Sequence, residues 1–142
     1  MLWLHGPAGS GKTHLLQGVV GALAERGVQI AYLPARQLPV EHVLAVLEGS
    51  ERYAVLVIDD VDQWLGEHRA ESELVRRYQE RRHAGTDMIL SASSAPSEFD
   101  MALADWRSRA QGAQVFRLNE LTEEGKLQVL MARSDRLGLT LG

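Results

Sequence analysis

The sequence contains no cysteine, which excludes disulfide bonds and thiolate metal ligands. It has no apolar run near the roughly 20 residues that a membrane-spanning helix requires. No basic segment precedes its first apolar residues, so the pattern of a secretory signal peptide is missing too. Internal repeats, low-complexity segments and linkers are also absent. These absences predict a cytoplasmic protein with no membrane association.

An excess of positive charge is missing as well, since 15 lysines and arginines face 19 aspartates and glutamates, for a net charge of −4. This balance argues against a surface that binds nucleic acid throughout, so we expect direct DNA binding to be weak or indirect. A hydrophobic content of 45% and a charged content of 24% are typical of a globular protein. The length of 142 residues is enough for one domain with its own core.

What the sequence does contain is a glycine-rich loop with a specific spacing. Residues 6–13 fit the pattern G-x-x-x-x-G-K-[ST] at every fixed position. Glycines let backbone N–H groups curl around a phosphate, and a helix that follows adds its positive N-terminal end. In this pattern the lysine reaches the β- and γ-phosphates, and the threonine hydroxyl ligates Mg²⁺. The predicted nucleotide-binding residues are Gly6, Pro7, Ala8, Gly9, Ser10, Gly11, Lys12, Thr13 and His14.

Five short apolar segments alternate with helical patterns, which predicts an α/β fold with a five-stranded parallel sheet and helices on both faces. The second segment is apolar throughout, as is typical of a strand covered on both faces. The predicted strands are 2–5, 29–33, 53–58, 88–90 and 115–118, and the predicted helices are 14–26, 39–47, 67–83 and 99–109. The three tryptophans are expected in the core or an interface: Trp3, Trp64 and Trp106.

Two carboxylates, Asp59 and Asp60, follow the third predicted strand. In a parallel sheet, ligands bind beyond the carboxyl ends of the strands, where the glycine-rich loop also lies. Mg²⁺ prefers oxygen ligands and keeps several waters, so one carboxylate near the Thr13 hydroxyl is sufficient. We assign that metal-binding role to Asp59 and a catalytic role to Asp60, which would orient the attacking water. The alternative is that both acids only form a turn or cap a helix.

Polar residues also follow the fourth strand, which is expected beside the strand of the glycine-rich loop. Ser91, Ser93 and Ser94 lie there. A side chain at this position, which we take to be Ser93, would contact the γ-phosphate or its water. A serine-rich turn with no such contact is an equally good interpretation.

Arginines are concentrated in two places. Arg107 and Arg109 precede the fifth strand, and an arginine at a subunit edge can complete a neighbour's ATP site, although surface arginines are usually only solvated. Residues 76–83 form a basic run in which Arg77 and Arg81 share one helical face. A solvated, partly ion-paired face explains this run more simply than a patch for phosphates or an acidic partner.

Three of these segments together resemble the AAA+ family of the bacterial replication initiator DnaA, and within it the Hda subfamily of regulators that inactivate DnaA. The segments are Gly11–Gln17 in the P-loop, Ile58–Val61 in the Walker B strand, and Ser108-Arg109. The resemblance implies that Arg109 is an arginine finger. The initiators carry a helical insertion before Walker B, whereas Pro34–Arg52 leaves room for one short helix here, which favours the Hda subfamily.

The resemblance also implies a domain organisation. Residues 1–121 would form the P-loop NTPase core, and residues 122–142 the first helix of a helical lid that is mostly missing. The subfamily's clamp-binding peptide, adenine-contacting segment and second sensor arginine have no counterpart in the sequence, so we expect a truncated ATPase core. The family's Asp-Arg pair after the fourth strand is replaced by Ser93-Ser94.

The function implied by the resemblance is regulation of DNA replication initiation. Such a protein binds ADP or ATP with Mg²⁺, docks beside DnaA on the DNA-loaded sliding clamp, and promotes hydrolysis of ATP bound to DnaA. Its partners would be DnaA, the clamp through a segment absent from this sequence, and possible further copies of itself. Two alternatives stay open: an ATPase motor similar to the helicase loaders, and an interaction module that has lost hydrolysis.

Overall fold

The computed structural model describes residues 1–118, which include one five-stranded parallel sheet. The order across the sheet is β2-β3-β4-β1-β5, so the first strand lies between the fourth and the fifth. This arrangement confirms the predicted α/β fold. The predicted domain boundary after residue 121 and the lid helix beyond it lie outside the described residues. The strands are β1 (Leu2–His5), β2 (Ile30–Pro34), β3 (Val55–Asp59), β4 (Asp87–Ala92) and β5 (Gln114–Arg117).

Helices cover both faces of the sheet, as predicted. On one face α1 packs against alternate residues of the central strands, including Leu2 and Leu4 of β1. The opposite face carries the other three helices and all three tryptophans, which are fully buried as expected. No helix among residues 1–118 is long and apolar enough to cross a membrane. The helices are α1 (Lys12–Glu25), α2 (Val43–Leu47), α3 (His68–Ala84) and α4 (Ala104–Gln111).

The second strand differs from its prediction. Strand β2 is at the edge of the sheet, and all five of its residues are partly exposed instead of covered on both faces. The apolar run therefore wrongly predicted that both faces of β2 are covered. Coverage depends on where a strand lies in the sheet, and the residues of a single strand do not show that position. The helix after it, α2, is also shorter than predicted. It has only five residues, and its Leu44 is 54% exposed.

The basic run on α3 is partly solvated and partly ion-paired, as predicted, since the Arg76 side chain is 62% exposed and pairs with Glu80 at 3.5 Å, and Arg82 is exposed. Two of its arginines are nevertheless buried. Arg77 is 6% exposed and Arg81 4%. Arg81 donates hydrogen bonds to the carbonyls of Ser50 and Tyr53, and Arg77 pairs with Glu73 at 3.4 Å. Arg81 thereby joins α3 to the loop before β3, whereas Arg77 is held mainly within α3. A buried arginine is tolerated where its N–H donors find acceptors of this kind.

Candidate nucleotide-binding site

The glycine-rich loop leaves β1 at the centre of the sheet and enters α1 directly. Gly6 donates its N–H to the Ala92 carbonyl at the end of β4, which fixes the start of the loop. Gly9 and Gly11 have φ values of +84° and +89°, which side chains rarely tolerate. Gly11 is the N-cap of α1, so the loop ends at the positive end of that helix. This backbone can present several N–H groups to an anion.

Lys12 lies against the loop that precedes it. Its ammonium group donates hydrogen bonds to the carbonyls of Gly6 and Pro7, the latter at 3.1 Å, and the residue is only 8% exposed. A nearly buried ammonium group is a strong local positive charge, because little water surrounds it. The structure therefore places the predicted lysine where the loop concentrates positive charge.

Thr13 and Asp59, the predicted metal ligands, are in contact. The Thr13 hydroxyl donates to Asp59 Oδ2 at 2.7 Å. Because a hydroxyl has two acceptor lone pairs beside its single proton, Thr13 can donate to Asp59 and still offer oxygen to a cation. The pair is thus a hard-oxygen donor set of the type that Mg²⁺ prefers.

The number of protein ligands also fits Mg²⁺. Among residues 1–118, no three His, Cys, Asp or Glu side chains cluster closely enough to hold a metal ion by themselves. Mg²⁺ is usually held by one or two protein groups together with substrate phosphates and water. The residues present therefore suit an ion that arrives with a nucleotide.

Asp59 itself is held by three hydroxyl groups from three different elements. Oδ2 accepts from Thr13 and from the Tyr32 hydroxyl, the latter at 2.8 Å, and Oδ1 accepts from Ser91. The Ser91 oxygen also accepts the backbone N–H of Asp60 at 2.8 Å. Ser91 thus connects β4 to the acidic strand end, by which we mean Asp59 and Asp60 at the carboxyl end of β3. The sequence did not predict this contact.

Asp60 lies beside Asp59 in a left-handed backbone conformation, with φ +58°. Its carboxylate forms an ion pair with Arg36, 3.3 Å from Nε, and the Arg36 side chain is 67% exposed. Both residues line an open cleft of about 370 Å³ together with the glycine-rich loop. Asp60 is therefore placed where a nucleotide's phosphates would be close. The lining residues are Ala8, Gly9, Gly11, Lys12, Thr13, His14, Arg36 and Asp60.

The environment of Asp60 makes the stability of the folded chain depend on pH. Burial and the neighbouring Asp59 carboxylate raise the pKa of Asp60 above its ordinary value of 3.8, and Arg36 only partly opposes them. The folded chain thus holds this proton more tightly than the unfolded chain, so stability is lost as the pH rises from about 3.8 through the raised pKa. Asp60→Asn is expected to increase the free energy of unfolding at pH 7 and to remove this loss.

Urea unfolding at pH 4, 5.5 and 7 measures this effect. Asparagine tolerates the left-handed φ of this position, so the substitution tests charge and not backbone strain. The matched control is Asp100→Asn, at an exposed aspartate, which should change the unfolding free energy little. An Asp60→Asn protein that is less stable than wild type at pH 7 contradicts the prediction.

Gly6 is required for space. A Cβ atom at this position would lie 2.6 Å from Ser10 Oγ and 2.9 Å from the backbone oxygen of Leu118. Gly6→Ala must therefore displace the loop, at a cost of about 1–3 kcal/mol. We expect a lower thermal midpoint and nucleotide affinity about 5- to 150-fold weaker, which is the factor that a loss of about 1–3 kcal/mol of binding free energy corresponds to.

The matched control for this substitution is Gly21→Ala in α1, where a Cβ has open space. That change should stabilise the helix by about 0.5–1 kcal/mol and leave nucleotide affinity unchanged. Thermal unfolding and titration calorimetry on both variants separate loop displacement from a general effect of adding a methyl group. The steric argument fails if Gly6→Ala melts and binds nucleotide as wild type does.

Ser93, which is predicted to contact the γ-phosphate or its water, has Asp62 as its partner in the structure. Its hydroxyl and its N–H both contact Asp62 Oδ2, at 2.8 and 3.3 Å, on the exposed surface. It is not among the residues that line the cleft. The described contacts are those of a serine in a turn, and a role toward phosphate stays a prediction.

Arg109 lies away from the cleft, on α4, which packs on the face opposite α1. Its guanidinium donates to Asp105 at 3.1 Å and stacks over the Tyr78 ring at 5.4 Å. Arg107 instead donates to the Met101 carbonyl at 2.8 Å. Neither arginine lines the cleft beside the glycine-rich loop, and the role of Arg109 as an arginine finger stays a prediction.

Two site residues were missed by sequence reasoning altogether. Tyr32 lies in the middle of β2 and contacts Asp59, and Arg36 lies in the turn after β2 and contacts Asp60. A tyrosine within an otherwise apolar strand was the available signal for the first. No sequence pattern indicated the second, because its contact depends on how β2 pairs with β3.

Solved structures with this architecture are similar to the chain over nearly its full length. A crystal structure of a DNA replication initiation factor has a TM-score of 0.72 at 22% identity, covering 99% of this chain and 46% of that chain. AMPPCP-bound DnaA from Aquifex aeolicus gives 0.71 at 24% identity, over 99% and 47%. The DnaC helicase loader gives 0.56 at 18%, over 83% and 77%. The chain therefore has the AAA+ core fold, and it spans less than half the length of the two initiator structures.

The family is shown by sequence. The family model of the bacterial DnaA ATPase domain matches residues 1–116, which is most of the chain. The chain belongs to the bacterial DnaA ATPase domain family.

Proposed function

We propose that this chain binds ADP or ATP, together with Mg²⁺, in the cleft beside the glycine-rich loop. The observation that carries the proposal is the hydrogen bond between Thr13 and Asp59, which joins the loop to the acidic strand end at the start of α1. A positive helix end and an acidic metal-binding group side by side suit a phosphate and its cation. The DnaA of Aquifex aeolicus, which has the same fold, was solved with AMPPCP bound.

In this proposal each residue of the site has a defined task. The backbone of residues 6–11 and the Lys12 ammonium bind phosphate oxygens, and Thr13 and Asp59 would hold Mg²⁺. The ion, when bound, neutralises charge on the phosphates. Asp60 is ion-paired with Arg36 and lines the same cleft, so it is the carboxylate that can orient a water molecule there.

We further propose that the protein acts as an Hda-type regulator, which stimulates hydrolysis of ATP bound to DnaA on the DNA-loaded sliding clamp. Two observations support this. Only short helical turns and the five-residue α2 separate β2 from β3, so the helical insertion of the initiators has no room. Arg109 points away from the chain's own cleft and is partly exposed, which suits action on a partner's nucleotide. A homo-oligomer would present Arg109 to a second copy in the same way.

The experiment that tests this function follows ATP hydrolysis by purified DnaA with DNA-loaded clamp, with and without the full chain. The expected result is faster loss of DnaA-bound ATP when the protein is present, and little turnover by the protein alone. No acceleration of DnaA, whether or not the added protein binds nucleotide, contradicts the regulator proposal.

A helicase-loader-like ATPase is the second candidate. The observation that favours it is the likeness in fold to the DnaC helicase loader, with a TM-score of 0.56. An enzyme of this kind would hydrolyse ATP steadily without DnaA, and single-stranded DNA would stimulate it. Both reactions can be measured in the same assay.

A further inference from the structure

The hydroxyl of Tyr32 contacts Asp59 from β2, at the edge of the sheet. Tyr32 pairs with Val57 in the β2–β3 register, two residues before Asp59, so its side chain lies along the strand toward the carboxyl end. Its hydroxyl reaches Asp59 Oδ2 at 2.8 Å. The Gln17 side chain on α1 is also near this hydroxyl. Tyr32 thus bridges the edge strand and the acidic strand end.

The bridge matters because of what holds Asp59 on its other sides. Asp59 is 2% exposed, so water does little to orient its carboxylate. Ser91 contacts Oδ1, whereas Thr13 and Tyr32 share Oδ2. Thr13 is also the residue assigned to the cation. Tyr32 is therefore the hydroxyl that can hold Oδ2 without itself being a candidate metal or phosphate ligand.

We propose that Tyr32 is a positioning residue for Mg²⁺. Its hydroxyl fixes the rotation of the Asp59 carboxylate, so that Oδ2 stays directed at Thr13 and at the place of the cation. Groups that orient a metal-binding carboxylate commonly change metal affinity by about 10- to 100-fold when they are removed. The inference rests on the proposed nucleotide site and adds to it a residue that contacts neither nucleotide nor metal.

A purely structural role for Tyr32 makes a different prediction. Its ring lies on a partly exposed edge strand, and the ring contacts do not depend on the hydroxyl. Tyr32→Phe keeps the ring and removes only the oxygen. If the hydroxyl merely stabilised the fold, the substitution would affect nucleotide binding to the same extent with and without Mg²⁺.

The test measures ATP and ADP affinity of the full chain by titration calorimetry, in EDTA and over a series of Mg²⁺ concentrations. Wild type is expected to bind more tightly with Mg²⁺. Tyr32→Phe should require about 10-fold more Mg²⁺ for the same gain in affinity, with its affinity in EDTA unchanged. Tyr53→Phe is the matched control, since Tyr53 lies before β3 and away from the cleft, and it should behave as wild type.

Each other outcome has a definite meaning. An unchanged Mg²⁺ requirement in Tyr32→Phe overturns the inference, and so does an equal loss of affinity in EDTA and in Mg²⁺. A wild-type chain that is folded by circular dichroism but binds no nucleotide overturns the proposed function instead. Binding in EDTA with no gain from Mg²⁺ in wild type refutes the metal site and the inference, and leaves nucleotide binding in place.

Discussion

The Arg109→Ala protein is expected to lose its ability to stimulate the hydrolysis of DnaA-bound ATP. Arginine fingers supplied in trans accelerate phosphoryl transfer by about 10³–10⁵-fold, because the guanidinium neutralises charge that develops in the transition state. Arg109 is partly exposed on α4 and is held by Asp105 and by the ring of Tyr78. Breaking the exposed ion pair with Asp105 costs about 0.2–1 kcal/mol, so the Arg109 side chain can extend toward a partner at a small cost in free energy.

The measurement is the rate of loss of DnaA-bound ATP on DNA-loaded clamp, with wild type and variant at equal concentration. The matched control is Arg82→Ala, which removes one exposed arginine from α3 and should leave the stimulation intact. Circular dichroism should show the same fold for both variants, since few contacts are lost. If the Arg109→Ala protein still stimulates DnaA fully, Arg109 has no part in the mechanism. If both variants lose the stimulation equally, the loss is a general effect of charge.

Lys12→Ala is expected to weaken ATP and ADP binding by about 100-fold. A hydrogen bond between charged groups contributes about 1.5–3 kcal/mol, and the ammonium here is nearly buried at the phosphate loop. The fold should tolerate the change, because the substitution removes a buried charge and leaves only two carbonyl contacts unmade. Titration calorimetry measures the affinity, and thermal unfolding measures the stability.

Arg26→Ala is the control for the loss of one positive charge. Arg26 is exposed just beyond the opposite end of α1, far from the loop, so its removal should change nucleotide affinity little. A folded Lys12→Ala protein with wild-type affinity refutes the site as drawn. Equal weakening by Arg26→Ala means that overall charge, and not a specific contact, attracts the nucleotide.

The nucleotide site could be predicted where its chemistry is local in sequence. The loop of residues 6–13 has a fixed spacing, and Asp59 follows a strand that is apolar enough to be central. Because parallel strands end at the same edge of the sheet, the predicted contact between Thr13 and Asp59 follows from the topology alone. The strand and helix alternation that defines the fold is equally visible in the sequence.

The supporting contacts could not be predicted in this way. Tyr32 meets Asp59 only because β2 pairs with β3 in one register, and Ser91 meets it only because β4 lies on the other side. Strand order also explains why β2 proved to be an exposed edge. The burial of Arg81 escaped prediction for a related reason, since its acceptors are the backbone carbonyls of Ser50 and Tyr53, which leave no trace in a pattern of side chains.

The measurement that tests the central claim most directly is a crystal structure of the full chain grown with AMPPCP and Mg²⁺. The account predicts triphosphate density against the backbone N–H groups of residues 8–13, with the Lys12 ammonium on the phosphates. It also predicts an ion beside the Thr13 hydroxyl, on the side of Asp59. A well-ordered loop with no nucleotide at saturating concentration, or a nucleotide bound elsewhere on the molecule, would contradict it.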